Sequence, residues 1–95
     1  MSSNPSSGAE NYKLDIKPSA AKELESLGTK KDRQKIVARI NALATETRPV
    51  GVEKLAGERN GYRVRQGNYR IVYSIDDRNK LIVVMRVGDR KDVYR

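Results

Sequence analysis

The chain has 95 residues, with 20 Lys and Arg against 12 Asp and Glu, a formal net charge of +8, and neither Cys nor His. That length supports one small core, which excludes a large multi-step enzyme. Without Cys or His, a disulfide framework, a thiolate nucleophile, Ser-His-Asp chemistry, a bound metal and a dedicated cofactor are not expected.

The positive excess on so small a surface attracts phosphate-rich partners at long range, nucleic acid first among them. No run approaches the roughly 20 apolar residues of a membrane span, and the N-terminus has no basic start or apolar stretch of the secretory kind. No membrane association is expected, and the expected location is the cytoplasm. Residues 1–11 are rich in Ser, Asn, Gly and Pro, offer nothing to bury and read as a disordered tail ahead of one domain over residues 12–95.

Tyr12 to Ile16 alternates apolar with polar and predicts a short strand, after which Pro18 and Ser19 signal a helix start. Ala20, Ala21, Leu24 and Leu27 recur at helical spacing up to Gly28, a fitting C-terminal stop, for a helix of about two turns. A second helix is predicted from Lys30 or Lys31 to about Ala44. Its buried stripe is Ile36, Ile40 and Leu43, with Lys31, Arg33, Lys35 and Arg39 toward solvent. Residues 52–61, with Lys54 and the turn-rich Gly57-Glu58-Arg59-Asn60-Gly61, read as a loop.

From Gly61 the period changes to two. Tyr62 to Gln66, a Gly67-Asn68 turn, Tyr69 to Ile75, a loop over Asp76 to Lys80, and Leu81 to Val87 predict a three-stranded antiparallel meander. The predicted class is α+β: a short N-terminal strand and a two-helix hairpin packed on an antiparallel sheet.

A two-residue loop at Gly67-Asn68 places Val64 opposite Ile71 and Tyr62 opposite Tyr73 on the core face. It also sets Arg65 opposite Arg70 on the other face, with Arg63 two positions along. If the next loop closes with Ile75 opposite Leu81, Arg86 joins Arg70 in a row across three strands, unless a bulge breaks the register. One arginine on a sheet face is explained by its stem covering apolar surface. A set of like charges facing one another is destabilising, and the pattern points to an anionic ligand held by bidentate guanidinium forks. These arginines are expected outside the core.

The run Lys54-Leu55-Ala56-Gly57, then Gly61-Tyr62-Arg63-Val64-Arg65-Gln66-Gly67-Asn68-Tyr69-Arg70-Ile71-Val72-Tyr73, and the terminal Val87-Gly88-Asp89-Arg90-Lys91-Asp92-Val93-Tyr94 closely resembles the RelE branch of the RelE/ParE toxin superfamily. The resemblance implies a microbial-ribonuclease-like α+β fold and the toxin of a type II toxin–antitoxin system. It further implies a ribosome-dependent endoribonuclease that cleaves messenger RNA in the ribosomal A site and is restrained by a RelB-like antitoxin.

The partners it implies are that antitoxin, the 70S ribosome and messenger RNA. Carried over residue by residue, it implies catalytic roles for Arg70, Arg90 and Tyr94, and phosphate binding by Arg63 and Arg65. Arg86 joins the phosphate contacts through the arginine row, and Lys54 as a secondary candidate. Many relatives carry His or Lys where this chain has Asp89, which leaves the general acid and base open. Two other functions fit the same pattern: a ParE-like inhibitor of DNA gyrase, and a non-catalytic RNA-binding module.

Overall fold

The computed structural model describes residues 11–57 and 60–89. In chain order it contains β1 (Lys13–Ile16), α1 (Pro18–Glu25), α2 (Lys30–Ala42), β2 (Glu53–Lys54), β3 (Gly61–Gln66), β4 (Tyr69–Asp76) and β5 (Leu81–Asp89). The α+β reading holds, with two corrections. The sheet has five strands in the order β1-β5-β4-β3-β2, and it is mixed because β1 runs parallel to β5. Residues read as loop supply β2, which pairs Glu53 with Arg63 and Lys54 with Tyr62.

α1 starts at Pro18, where the missing N–H and fixed φ cost a first turn nothing. α2 is started by a capping box: Asp32 N–H donates to the Thr29 hydroxyl at 3.1 Å and Thr29 N–H to the Asp32 carboxylate at 3.3 Å. Between the helices Gly28 adopts φ +36°, and a Cβ there would collide with the Tyr69 hydroxyl. That hydroxyl donates to Asp32 at 3.2 Å, tying the α2 N-terminus to the start of β4.

Both helices cover one face of the sheet. Ile36, Ile40 and Leu43 of α2 and Ala20 of α1 close over Val64, Ile71, Tyr73, Ile75, Ile82, Val84 and Val87. Fully burying aliphatic side chains of this kind stabilises by about 1.5–3 kcal/mol each. Tyr73 is buried among them with its hydroxyl donating to the Thr47 carbonyl at 2.7 Å.

The β3–β4 hairpin has the predicted register throughout, from Gln66 opposite Tyr69 to Tyr62 opposite Tyr73. Gly67, at φ 62°, takes the first central position of its two-residue turn, which suits a type II′ geometry.

The β4–β5 pairing differs from the expectation in two places. Asp76 belongs to the strand and pairs with Leu81, because its carboxylate accepts from the backbone N–H and side-chain amide of Asn79 and tightens the loop. A bulge then sets Val72 opposite Arg86 but Tyr73 opposite Val84, leaving Met85 as the extra residue. The bulge keeps Val87 on the core side with Ile71, and it moves Arg86 out of line with Arg70.

Candidate phosphate-binding cleft

β2 pairs with β3 only at Tyr62 and Arg63, so from Val64 onward β3 has no outer strand among the described residues. A cleft of about 300 Å³ opens at that edge. The sheet contributes Arg63 and Arg65 from β3 and Arg70 from β4, the middle strand of the five. Glu53 of β2 and the Val50-Gly51 segment line the outer side, and Arg39 reaches in from α2.

The strand alternation that predicts Arg63, Arg65 and Arg70 on a common face is what brings them into this cleft. Arg65 and Arg70 stand directly opposite each other, and the next residue across from Arg70 is Gly88, which has no side chain to crowd it. Arg70 is nevertheless only 3 % exposed, which corrects the expectation that it lies outside the core. A guanidinium held this far from water acts on an anion through a lower effective dielectric than a surface cation does.

Glu53 is the one carboxylate lining the cleft among the described residues. One of its oxygens accepts from two nitrogens of Arg63, at 2.6 and 3.0 Å. Those hydrogen bonds from Arg63, together with its positive charge and those of Arg70 and Arg65, hold the Glu53 carboxyl below the usual range.

Two sequence candidates stand elsewhere. Lys54 alternates with Glu53 and so projects from the opposite face of β2, with its Nζ 4.9 Å from the centroid of the Tyr62 ring. Arg86 faces Val72 rather than Arg70, a correction to the three-strand row, and its guanidinium donates to Glu23 of α1 at 3.2 Å. The other oxygen of Glu23 accepts from the Val87 backbone N–H at 2.9 Å, so this pair fastens α1 to β5.

Asp89 lies opposite Tyr69 at the exposed end of β5. Its charge adds to the burial and the Asp32 hydrogen bond that push the pKa of the Tyr69 hydroxyl above its usual value. Arg90, Tyr94 and Glu58 fall outside the described residues, as does the predicted tail apart from Asn11.

Arg39, which the sequence reading placed toward solvent without a role, is half-buried and lines the cleft. It follows Ile36 by three residues and precedes Leu43 by four, which is the spacing of the buried stripe itself. An arginine on that stripe has to carry its head to an opening, and the cleft is the opening. Among the described residues no cluster of acidic side chains suited to a metal ion is present, and no helix is long and apolar enough to cross a membrane.

A family model described as the ParE toxin of the type II toxin–antitoxin system parDE matches residues 14–94. Toxin RelG of Mycobacterium tuberculosis is 44 % identical over 34 residues, which make up 36 % of this chain and 39 % of that relative. The match therefore spans well under half of that protein's length. A mutant of E. coli toxin RelE in the free state superposes with a TM-score of 0.73 at 27 % identity, covering 88 % of this chain and 90 % of the other. The RelE–RelB complex from Pyrococcus horikoshii gives a TM-score of 0.74 at 29 % identity, covering 84 % of this chain and 96 % of the matched one.

Proposed function

Since the chain belongs to the ParE toxin family of type II toxin–antitoxin systems and is a RelE-type toxin, we propose that it is a metal-independent endoribonuclease cutting messenger RNA on the ribosome. The observation that carries this reading is the cleft itself: Arg63, Arg65 and a nearly buried Arg70 converge where a single strand can lie along the open edge of β3.

The reaction is attack by a ribose 2′-hydroxyl on the adjoining phosphorus. The O2′–P bond forms and the P–O5′ bond breaks. The 2′-hydroxyl proton passes to a base, the departing 5′-oxygen takes up a proton, and a 2′,3′-cyclic phosphate remains. Negative charge on the non-bridging oxygens grows in the five-coordinate transition state, and preorganised guanidinium donors stabilise it more than they stabilise the ground state.

Arg70 is assigned to that charge, while Arg63 and Arg65 hold the strand. By family resemblance Arg90 is the second clamp and Tyr94 serves in proton transfer or base stacking. An acidic RelB-like antitoxin restrains the activity by covering the arginines or displacing the C-terminal segment, and action on ribosomes places the toxin in the cytoplasm.

The parDE description of the family model favours one second reading, inhibition of DNA gyrase. The deciding experiment adds purified protein to a translating extract programmed with one defined message and maps new 5′ ends by primer extension. Codon-spaced cuts support the ribonuclease. An intact message together with inhibited supercoiling replaces it with the gyrase reading, and an intact message bound in a steeply salt-dependent way leaves only an RNA-binding module.

A further inference from the structure

Of the four arginines that line the cleft among the described residues, Arg39 alone comes from a helix, and no role follows for it from the family resemblance. It stands at a position of the stripe that carries Ile36, Ile40 and Leu43, and it is half-buried. Its Nε is buried and has no hydrogen-bond partner among the described residues. Buried N–H groups of charged side chains are almost always paired, and an orphan calls for an explanation. The other guanidinium groups in the cleft are donors only, and Glu53, the one carboxylate lining it among the described residues, is engaged by Arg63. Nothing among the described residues satisfies that nitrogen, and the side chain lines the cleft from the helix side.

We propose that Arg39 binds the phosphate next to the scissile one, gripping the RNA backbone from the helix side while Arg63, Arg65 and Arg70 hold it from the sheet side. Two opposed sets of donors fit a phosphodiester chain, which presents successive anionic groups, better than a single small anion. They also fix how the strand lies along β3. The identity of the ligand rests on the ribonuclease reading; the placement of Arg39 on the helix side of the cleft does not. Because Arg39 addresses a neighbouring phosphate, its loss weakens binding of the ground state and the transition state alike and raises KM with little change in kcat.

The test uses the full chain and a fluorescent hexanucleotide carrying 2′-O-methyl groups throughout, which cannot be cut by 2′-hydroxyl attack. Anisotropy titrations across a range of KCl give the salt slope of binding. Arg39→Gln is expected to weaken binding about fivefold at low salt and to flatten the slope by about 0.7, the contribution of one phosphate contact on a single strand. Arg39→Lys retains most of the slope and guards against misfolding of the Gln variant. Lys31→Gln, the same charge change at an exposed position of the same helix, leaves the slope nearly unchanged.

An unaltered slope in Arg39→Gln, or an equal fall in Lys31→Gln, overturns the proposal. So does an Arg39→Gln variant that loses only affinity for a co-purified antitoxin. Wild-type protein that binds the oligonucleotide with the Arg39 contribution intact but leaves ribosome-bound message uncut overturns the ribonuclease reading and keeps the contact.

Discussion

Arg70→Met separates the chemical role of the cleft from its structural role. Methionine keeps the length and apolar character of the arginine stem and so avoids the cavity that alanine would leave at a position only 3 % exposed. What disappears is one preorganised, buried donor group, and the loss of such a group from a transition-state anion site lowers kcat by about 10²–10³-fold, or about 2.7–4 kcal/mol. Stability moves much less. Arg65 faces Arg70 directly, and relief of a like-charged cross-strand pair returns roughly 0.2–1 kcal/mol, which opposes the loss of the guanidinium's own contacts.

The urea midpoint is therefore expected to shift by no more than about 1 kcal/mol in unfolding free energy, while primer extension on a defined message in a translating extract shows cleavage nearly abolished. Cleavage within threefold of wild type by a folded variant would remove Arg70 from the mechanism. A fall in cleavage that merely tracks the folded fraction would make it a structural residue.

Removing the internal anion acts in the opposite direction: Glu53→Gln leaves Arg63, Arg65 and Arg70 without their carboxylate neighbour and is expected to tighten binding of an uncleavable RNA about threefold at low salt. Weaker or unchanged binding in the same anisotropy assay would show that the Glu53–Arg63 pair does not compete with phosphate. Gly28→Ala places a methyl group against the Tyr69 hydroxyl at a left-handed φ of +36° and is expected to cost about 2 kcal/mol, read from chemical denaturation. A cost near zero would mean that the Tyr69–Asp32 tie yields without penalty.

Burial pushes the Tyr73 hydroxyl up to about 12, whereas in the unfolded chain it ionises near 10. Its contribution to stability is therefore complete below about pH 10 and is lost as pH rises toward 12, because the unfolded state gives up the proton first. Tyr73→Phe should flatten that part of the pH profile of the urea midpoint, and a slope unchanged in the variant would assign the alkaline loss to other groups.

The β3–β4 hairpin was legible because a two-residue loop leaves one register, and that register alone puts Arg65 across from Arg70. The next pairing was not. Its register depends on the hydrogen bonds from Asn79 to Asp76 and on a bulge at Met85, neither of which periodicity encodes, and Arg86 was misplaced as a result. β2 escaped notice because two charged residues carry no alternation; only the neighbouring strand makes them a strand. Arg39 was readable in principle, since charge at a stripe position is the informative exception to a hydrophobic pattern. Thr29 and Asp32 likewise spell a capping box that went unused. The burial of Arg70 was beyond reach, because alternation tells which face a side chain takes and not whether helix, loop and edge strand wall that face off.

The position of the cleft follows from these same departures from regular structure. A full-length outer strand beside β3 would cover Val64 to Gln66, yet β2 stops after two residues, and no described strand covers that edge where the arginines converge. Glu23 takes Arg86 away from the cluster and pins α1 to β5 with the same carboxylate. Glu53, accepting from Arg63 in the absence of a ligand, tempers the repulsion among the cations that remain. The fold thus gathers Arg39, Arg63, Arg65 and Arg70 around a small opening in which Glu53 is the one carboxylate among the described residues. On the proposed function, an acidic antitoxin segment inhibits by presenting carboxylates to this opening without a scissile bond.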